Sequence, residues 1–124
     1  MIEFEVLGNP DLYQAASRGI WLIDIHNAAE KAANGRHAAY GTPVWVQAVF
    51  RLLRPPIAPT QMIRPAAKPD LDMLMSTSLD AMTGALFADE SQVVSMTASK
   101  VYVLPGYTAG ALFKVSFGVE AYEG

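Results

Sequence analysis

The sequence predicts a small α+β domain in which helices pack against one mixed β-sheet. Four stretches have the alternation or the β-branched composition of strands, and two others carry apolar residues at helical spacing. These stretches follow one another in the order β-α-β-α-β-β. The chain has 124 residues, which suits one ordinary domain and is too short for two. We therefore expect residues 1–124 to form a single domain.

The composition excludes several classes of protein. The chain has no cysteine, so thiolate zinc sites and thiol nucleophiles are excluded. Charged residues interrupt the apolar stretches well before the roughly 20 residues that a membrane span needs. Glu3 and Glu5 stand where a signal peptide carries positive charge. These features predict a cytoplasmic protein that makes no contact with a membrane.

The first half of the chain predicts a strand, a helix and a second strand. Residues 2–7 alternate apolar and acidic side chains, and a Gly-Asn-Pro turn follows them. Residues 17–33 are rich in Ala, Ile, Leu and Trp, and Asn34-Gly35 is a stop signal for that helix. Residues 43–54 are apolar on both faces of a strand, which predicts a position in the middle of the sheet.

The second half predicts a loop, a helix and two strands. Residues 55–69 contain five prolines and two basic residues, which predicts a long basic loop. Apolar residues then recur three and four apart from Leu71 to Met82, and Gly84 closes this amphipathic helix. Residues 92–103 and 111–119 have strand patterns on either side of a turn at 105–110, and they predict an antiparallel hairpin.

The charges are segregated along the chain. Six basic residues and no acid lie between positions 31 and 68, and five acids and no base lie between positions 69 and 99. The basic residues are Lys31, Arg36, Arg51, Arg54, Arg64 and Lys68, and the acids are Asp70, Asp72, Asp80, Asp89 and Glu90. A basic block of this kind can serve a polyanion. Ordinary solvated surface is the alternative interpretation.

Two pairs of acids are candidates for metal binding. Asp70 and Asp72 stand at the start of the second helix, where their carboxylates can converge on a hard cation such as Mg²⁺ or Mn²⁺. Stabilisation of the helix dipole is the alternative role for this pair. Asp89 and Glu90 lie in a turn that can point a carboxylate back at the helix start, and a simple surface turn is the alternative there. We assign Asp80 to the solvated face of the helix.

Other common kinds of site are absent from the sequence. It contains no P-loop, no dinucleotide-binding fingerprint and no activated serine motif. His26 and His37 have no second histidine at ligand spacing, so we assign them structural roles. A carboxylate metal site beside a basic loop remains. That combination is typical of phosphodiester cleavage, because a metal activates water while cations hold the nucleic acid backbone.

Four short motifs in register resemble one known family. They are KPDLDML at 68–74, LDAMTG at 79–84, DESQVV at 89–94 and KVY at 100–102. Over about residues 64–103 their order and gaps resemble the RusA family of Holliday junction resolvases, which is common in phages and prophages. The family pattern is approximately KPDLDNLxK, LDALTG, DDSQV and KxY.

The resemblance implies an Mg²⁺-dependent endodeoxyribonuclease that binds four-way DNA junctions as a homodimer and resolves them by paired symmetric nicks, in DNA recombination and repair. Asp70 and Asp72 match the first two catalytic acids of the family, and Glu90 matches the third, with Asp89 beside it. Lys68 and Lys100 match basic positions. We expect these two lysines to contact DNA phosphates together with a group of arginines from the basic block. That group is Arg51, Arg54 and Arg64.

The sequence departs from the family pattern in two places that bear on catalysis. Met73 follows the second aspartate where the family usually has Asn or Lys, and Ser76 stands where it has Lys or Arg. In the family the later basic residue is tied to catalysis. Two interpretations follow: another cation (Lys68, Arg64 or Lys100) replaces it, or the chain binds junctions and cuts them poorly. A separate alternative is a metal nuclease that cleaves another branched or flapped DNA.

Overall fold

The computed structural model describes residues 1–10, 12, 14–54 and 65–118. The elements follow the predicted order and include a short 3-10 turn, Glu90–Gln92, before the third strand. They are β1 (Ile2–Leu7), α1 (Ala15–Ala33), β2 (Val44–Leu52), α2 (Leu71–Met82), β3 (Val93–Tyr102) and β4 (Gly110–Phe117). Helix α1 begins two residues before the predicted start. Neither described helix combines the length and the apolar character that crossing a lipid bilayer requires.

The four strands form one mixed sheet in the order β1-β4-β2-β3. Strand β4 pairs antiparallel with both β1 and β2, and β2 pairs in parallel with β3. The predicted α+β class and the inner position of β2 are therefore confirmed. Apolar residues on both faces of β2 are typical of a strand that is flanked on both sides.

The predicted hairpin between the last two strands is wrong. Strands β3 and β4 run in opposite directions, but β2 lies between them and pairs with each. Neighbouring strands are about 4.8 Å apart, so the connection across β2 spans roughly 10 Å between strand axes. The residues 103–109 are enough to cross that distance. Alternation along each strand showed that two strands exist, but it does not determine which strands are neighbours.

Both helices contribute to one core on a single face of the sheet. Alternate residues of β1, β2 and β4 point to this inner face, among them Phe4, Phe50 and Phe113, which are buried. Helix α1 adds the stripe Trp21, Ile25, Ala29 and Ala33, spaced four residues apart. The other face of the sheet, the outer face, carries Glu3, Gln47 and Val49, among other residues, and these are exposed.

The two helices are also joined by a hydrogen bond. The Nδ1 atom of His26 on α1 lies 2.9 Å from the carbonyl oxygen of Ala81 near the end of α2. Its Nε2 atom lies 3.3 Å from Glu30, one turn further along α1. The ring of His26 therefore connects the two helices, and this contact supports the structural role predicted for it.

Candidate active site at the start of the second helix

Asp70 occupies the residue just before α2. Its backbone is extended, with φ −69° and ψ 138°, so its carboxylate stands outside the helix. The carboxylate turns to Lys68, whose Nζ lies 2.7 Å from Oδ1 and 2.9 Å from Oδ2. One lysine therefore contacts both oxygens of the first candidate acid.

Lys100 on β3 holds the segment that precedes Asp70. Its Nζ donates hydrogen bonds to the carbonyl oxygens of Ala67 at 2.6 Å and Pro69 at 2.8 Å. Lys100 points to the inner face of the sheet, since its neighbour on β2 is the buried Phe50. The side chain thus ties the start of α2 to the sheet, and it fixes where Asp70 stands.

Asp72 lies in the first turn of α2 and is exposed. Its Oδ1 accepts a hydrogen bond from the backbone N–H of Met73 at 2.9 Å. This donor is one of the N–H groups that the first turn of a helix leaves without a helical partner. Asp70 and Asp72 are therefore both at the entrance of α2, as predicted. Ser76 follows Asp72 by one turn and is also exposed.

Asp89 is used in a capping box. Its carboxylate accepts a hydrogen bond from the N–H of Ser91 at 2.9 Å. Hydrogen bonding to the Ser91 side chain, and to a smaller extent to this N–H, lowers the pKa of Asp89. The side chain of Gln92 accepts from the N–H groups of Ala88 and Asp89 in return. The contacts of Asp89 therefore hold the turn that carries Glu90.

Gln92 is a structural residue that the sequence analysis did not single out. It is 5% exposed. Besides its bonds to the turn, its Nε2 lies within hydrogen-bond distance of the carbonyl oxygens of Ala38, Ala39 and Thr42. One buried amide thus fastens the turn before β3 to the loop before β2. The spacing Asp89-x-x-Gln92 was the signal that could have found it, because a capping box has this spacing.

Glu90 lies beside Asp80. A hydrogen bond between the two carboxyl groups raises the pKa of Glu90 to about 7, with smaller contributions from burial and from the negative charges of Asp80 and Asp89. Asp80 is exposed, as predicted, but its contact with Glu90 was not foreseen. When no cation is present, two neighbouring carboxylates repel each other, so one of the two carboxyl groups retains its proton to a higher pH.

Glu90, the third candidate acid, is therefore distant from Asp70 and Asp72 of the same chain. Asp80 follows Asp72 by eight residues of helix, which corresponds to about 12 Å along the axis of α2. Across residues 1–10, 12, 14–54 and 65–118, no group of three or more His, Cys, Asp or Glu side chains is close enough to hold a metal ion. The structure places Asp70 and Asp72 at the start of α2 and Glu90 near the other end of that helix.

The predicted DNA-binding residues fall on different surfaces. Arg54 lies with its guanidinium carbon 4.5 Å from the centre of the Tyr102 ring, at the same end of β3 as Lys100. Arg51 points to the outer face, where its Nη1 pairs with Glu5 at 2.7 Å. Arg64 lies outside the described residues. Lys68 and Lys100 are thus at the start of α2, Arg54 lies on Tyr102 two residues beyond Lys100, and Arg51 is on the opposite face of the sheet.

A comparison with protein-family models identifies the chain's relatives. The model described as "Endodeoxyribonuclease RusA" matches residues 8–107. This range includes both helices, β2, β3 and every candidate acid. No curated protein matches the chain significantly. Because the match covers most of the chain, the protein belongs to the RusA family of endodeoxyribonucleases.

Proposed function

We propose that the protein is a divalent-metal-dependent endonuclease that binds four-way DNA junctions as a homodimer and resolves them by paired symmetric nicks. Membership of the RusA endodeoxyribonuclease family supports the class of reaction. A symmetric junction that is cut at two places requires two active sites related by symmetry, which a two-fold dimer supplies.

Asp70 and Asp72 are the proposed metal ligands at the start of α2. Their donor chemistry fits Mg²⁺ or Mn²⁺, since such ions are commonly held by one or two carboxylates, with water and substrate phosphate in the other positions. The chemistry that the ion supplies when bound is activation of water and stabilisation of the leaving oxygen. Glu90 lies beside Asp80 in the same chain. In this proposal the third carboxylate of each site therefore comes from Glu90 of a second copy.

Three cations support the proposed contact with DNA. Lys68 and Lys100 contact the segment that enters α2, and Arg54 lies over the ring of Tyr102, two residues beyond Lys100 on β3. Phosphate oxygens are the DNA groups that such cations bind, because the backbone carries one negative charge per nucleotide. Arg64 belongs to the same basic block of the sequence and remains a predicted DNA contact. Arg51 is paired with Glu5 on the outer face, and we give it no part in this site.

The observation that carries the proposal is the arrangement around Asp70. Lys68 contacts its carboxylate, and Lys100 holds the backbone on its N-terminal side from the sheet. A flexible helix entrance would place the carboxylate poorly for metal binding. Tying the entrance to β3 orders the carboxylate before substrate arrives, and such preorganisation is what metal-assisted catalysis needs.

A labelled synthetic four-way junction tests the proposal. The purified protein is incubated with it in Mg²⁺ or Mn²⁺, and both mobility shift and cleavage products are measured. We expect paired symmetric nicks that Asp72→Asn abolishes while binding persists. Asp24→Asn, which changes an exposed carboxylate on α1, is the matched control and should cleave normally. Absence of both binding and nicks would refute the proposed function.

One alternative is favoured by a specific observation. Ser76 stands one turn after Asp72 on an exposed position of α2, where the family pattern has a basic residue. In this alternative the protein binds junctions but cleaves them weakly, and the same assay would give a mobility shift without nicks. Competition with flap and linear duplex DNA tests whether another DNA structure is the preferred substrate.

A further inference from the structure

A pocket of about 490 Å³ lies at the end of the sheet where β3 finishes. One side is formed by outer-face residues of β1, β2 and β3, and the other by the connection 103–109 that leads to β4. Its volume is in the range of pockets that hold small ligands. The pocket is separate from the candidate active site, because Arg51 lines it from the outer face whereas Lys100 points to the inner face.

Arg51 and Glu5 form the polar part of this pocket. Gly110 is the neighbour of Arg51 on β4, and a Cβ atom on Gly110 would lie only 3.0 Å from Nη2 of Arg51. The guanidinium group therefore lies over Gly110 and reaches Glu5, whose Oε2 is 2.7 Å from Nη1. The Nε and Nη2 atoms of Arg51 are shielded from solvent, whereas the Glu5 side chain is about half exposed. Glu5 thus offers a ligand a fixed hydrogen-bond acceptor.

Apolar and aromatic side chains surround this polar pair. Leu7, Leu104 and Tyr107 line the pocket and are exposed, Tyr107 to 71%. A turn sets the position of Tyr107, because its N–H donates to the carbonyl oxygen of Leu104 at 3.0 Å. Gly106 within this turn has a φ of 87°, which favours glycine. An exposed aromatic ring beside an apolar pocket is a suitable surface for stacking a planar ligand.

Cations lie near the pocket. Tyr102 is one of the lining residues, and the guanidinium carbon of Arg54 lies 4.5 Å from the centre of its ring. Lys100 precedes Tyr102 by two residues on β3. An aromatic surface with cations beside it is the combination that binds a nucleotide, since the base stacks and the phosphate pairs with the cations. Glu5 repels phosphate, so the base and not the phosphate fits inside the pocket.

We propose that this pocket binds one unpaired base of a DNA strand, which stacks on Tyr107 and donates an N–H group to Glu5. The inference rests on the proposed function and deepens it, because it assigns the part of the protein that holds an unpaired base of branched DNA. Bases inside a duplex present only their edges in the grooves and cannot enter a pocket. An unpaired base can enter, since it costs least to take out of the stack.

A fluorescent base tests the stacking without cleavage. A duplex with one unpaired 2-aminopurine is titrated with the protein in the absence of divalent cations, and the anisotropy of an end label measures binding separately. Stacking on Tyr107 should quench the 2-aminopurine. Tyr107→Ala should abolish this quenching and raise the dissociation constant by about fivefold to a hundredfold, the range of one contact between a base and an aromatic ring. Tyr107→Phe keeps the ring and should behave as the wild type does.

The chain offers a matched control for this variant. Tyr40 is 77% exposed and precedes β2, whereas the pocket lies at the other end of that strand, so Tyr40→Ala should leave quenching and binding unchanged. A fully paired duplex should bind the wild type and Tyr107→Ala equally. If the wild type binds without quenching, or if Tyr107→Ala quenches equally well, the pocket does not hold a base. Junction cleavage can succeed in either case, whereas a wild type that binds no branched DNA would overturn the proposed function as well.

Photo-cross-linking tests the same contact in the unaltered protein. A junction that carries 5-iododeoxyuridine at an unpaired position beside the branch point is bound to the protein and irradiated. We expect the main cross-link on the peptide that contains Tyr107. A main cross-link on Tyr40, or on any peptide that does not line the pocket, would overturn the proposal.

Discussion

The Nζ atom of Lys100 lies 2.8 Å from the carbonyl oxygen of Pro69, so a residue of the sheet holds the segment that carries Asp70. The same ammonium group binds the carbonyl oxygen of Ala67. Because its ammonium group donates hydrogen bonds to two backbone carbonyl oxygens, Lys100 acts as a structural clamp. Its position beside the candidate acids also suits a contact with DNA phosphate, and the two roles predict different results.

Replacing Lys100 should separate these roles. Lys100→Met keeps most of the aliphatic chain and removes the ammonium group. If the clamp is its main role, junction cleavage should fall by about tenfold to a hundredfold, since small misplacements of catalytic groups have effects of that size. The salt dependence of junction binding should stay unchanged. If Lys100 were mainly a phosphate contact, the slope of log K against log salt concentration would decrease by about one. Lys114→Met, on β4, is the control.

Gln92 should matter for stability. The Oε1 atom of its buried amide accepts hydrogen bonds from two N–H groups of the turn. The Nε2 atom lies within hydrogen-bond distance of three carbonyl oxygens of the loop before β2. Gln92→Ala leaves these groups without that partner, and we expect the free energy of unfolding to fall by about 2–4 kcal/mol. Urea denaturation measures it. Gln47→Ala on the exposed face of β2 should change stability by less than about 0.5 kcal/mol, and equal losses in the two variants would contradict the role given to Gln92.

Much of the fold was predictable because strand and helix periodicity are local properties of the sequence. The apolar residues on both faces of 43–54 even indicated that β2 lies inside the sheet. Strand order was not predictable in the same way, since alternation gives the direction of side chains and does not give the neighbouring strand. The hairpin prediction failed for this reason: β3 and β4 are adjacent in the chain but are separated in the sheet by β2.

The candidate site was predictable to a similar extent. Asp70 and Asp72 stand at the start of α2 because the proline before them and the apolar spacing after them set that boundary. The place of Glu90 depends on how α2 and β3 pack together, which no local pattern reports. The contact of Glu90 with Asp80 therefore could not be predicted. The sequence predicted correctly that Asp80 is exposed, but it did not indicate which residue Asp80 contacts.

The pair Asp80 and Glu90 should make stability depend on pH. The pKa of Glu90 rises from 4.5 to about 7 in the folded protein, mainly because of its hydrogen bond with Asp80. The folded state therefore binds more protons than the unfolded state between these values, and stability should fall as pH rises from about 4.5 to 7. Because Glu90 is largely exposed, we expect an effect of at most about 1 kcal/mol.

Asp80→Asn removes the negative partner and should flatten this dependence. Melting temperatures of the two proteins, measured without divalent cations across this pH range, should diverge as the pH rises, with the variant relatively more stable at pH 7. Asp24→Asn on α1 should follow the wild-type curve. Parallel curves for wild type and Asp80→Asn would show that the two carboxyl groups are not coupled in solution.

The exposed position of Ser76 allows the departure from the family pattern to be tested directly. Helix residues four apart are neighbours, so a lysine at 76 would reach the carboxylate of Asp72. Lys68 already contacts Asp70. If Lys68 replaces the missing cation, Ser76→Lys should change the rate of junction cleavage by less than about threefold. Lys68→Ala should then raise the activation barrier for cleavage by about 2–4 kcal/mol. Asn27→Lys on an exposed site of α1 controls for added charge. A large gain from Ser76→Lys with little loss from Lys68→Ala would instead mean that the wild-type site lacks a cation, and that the chain is mainly a junction-binding protein.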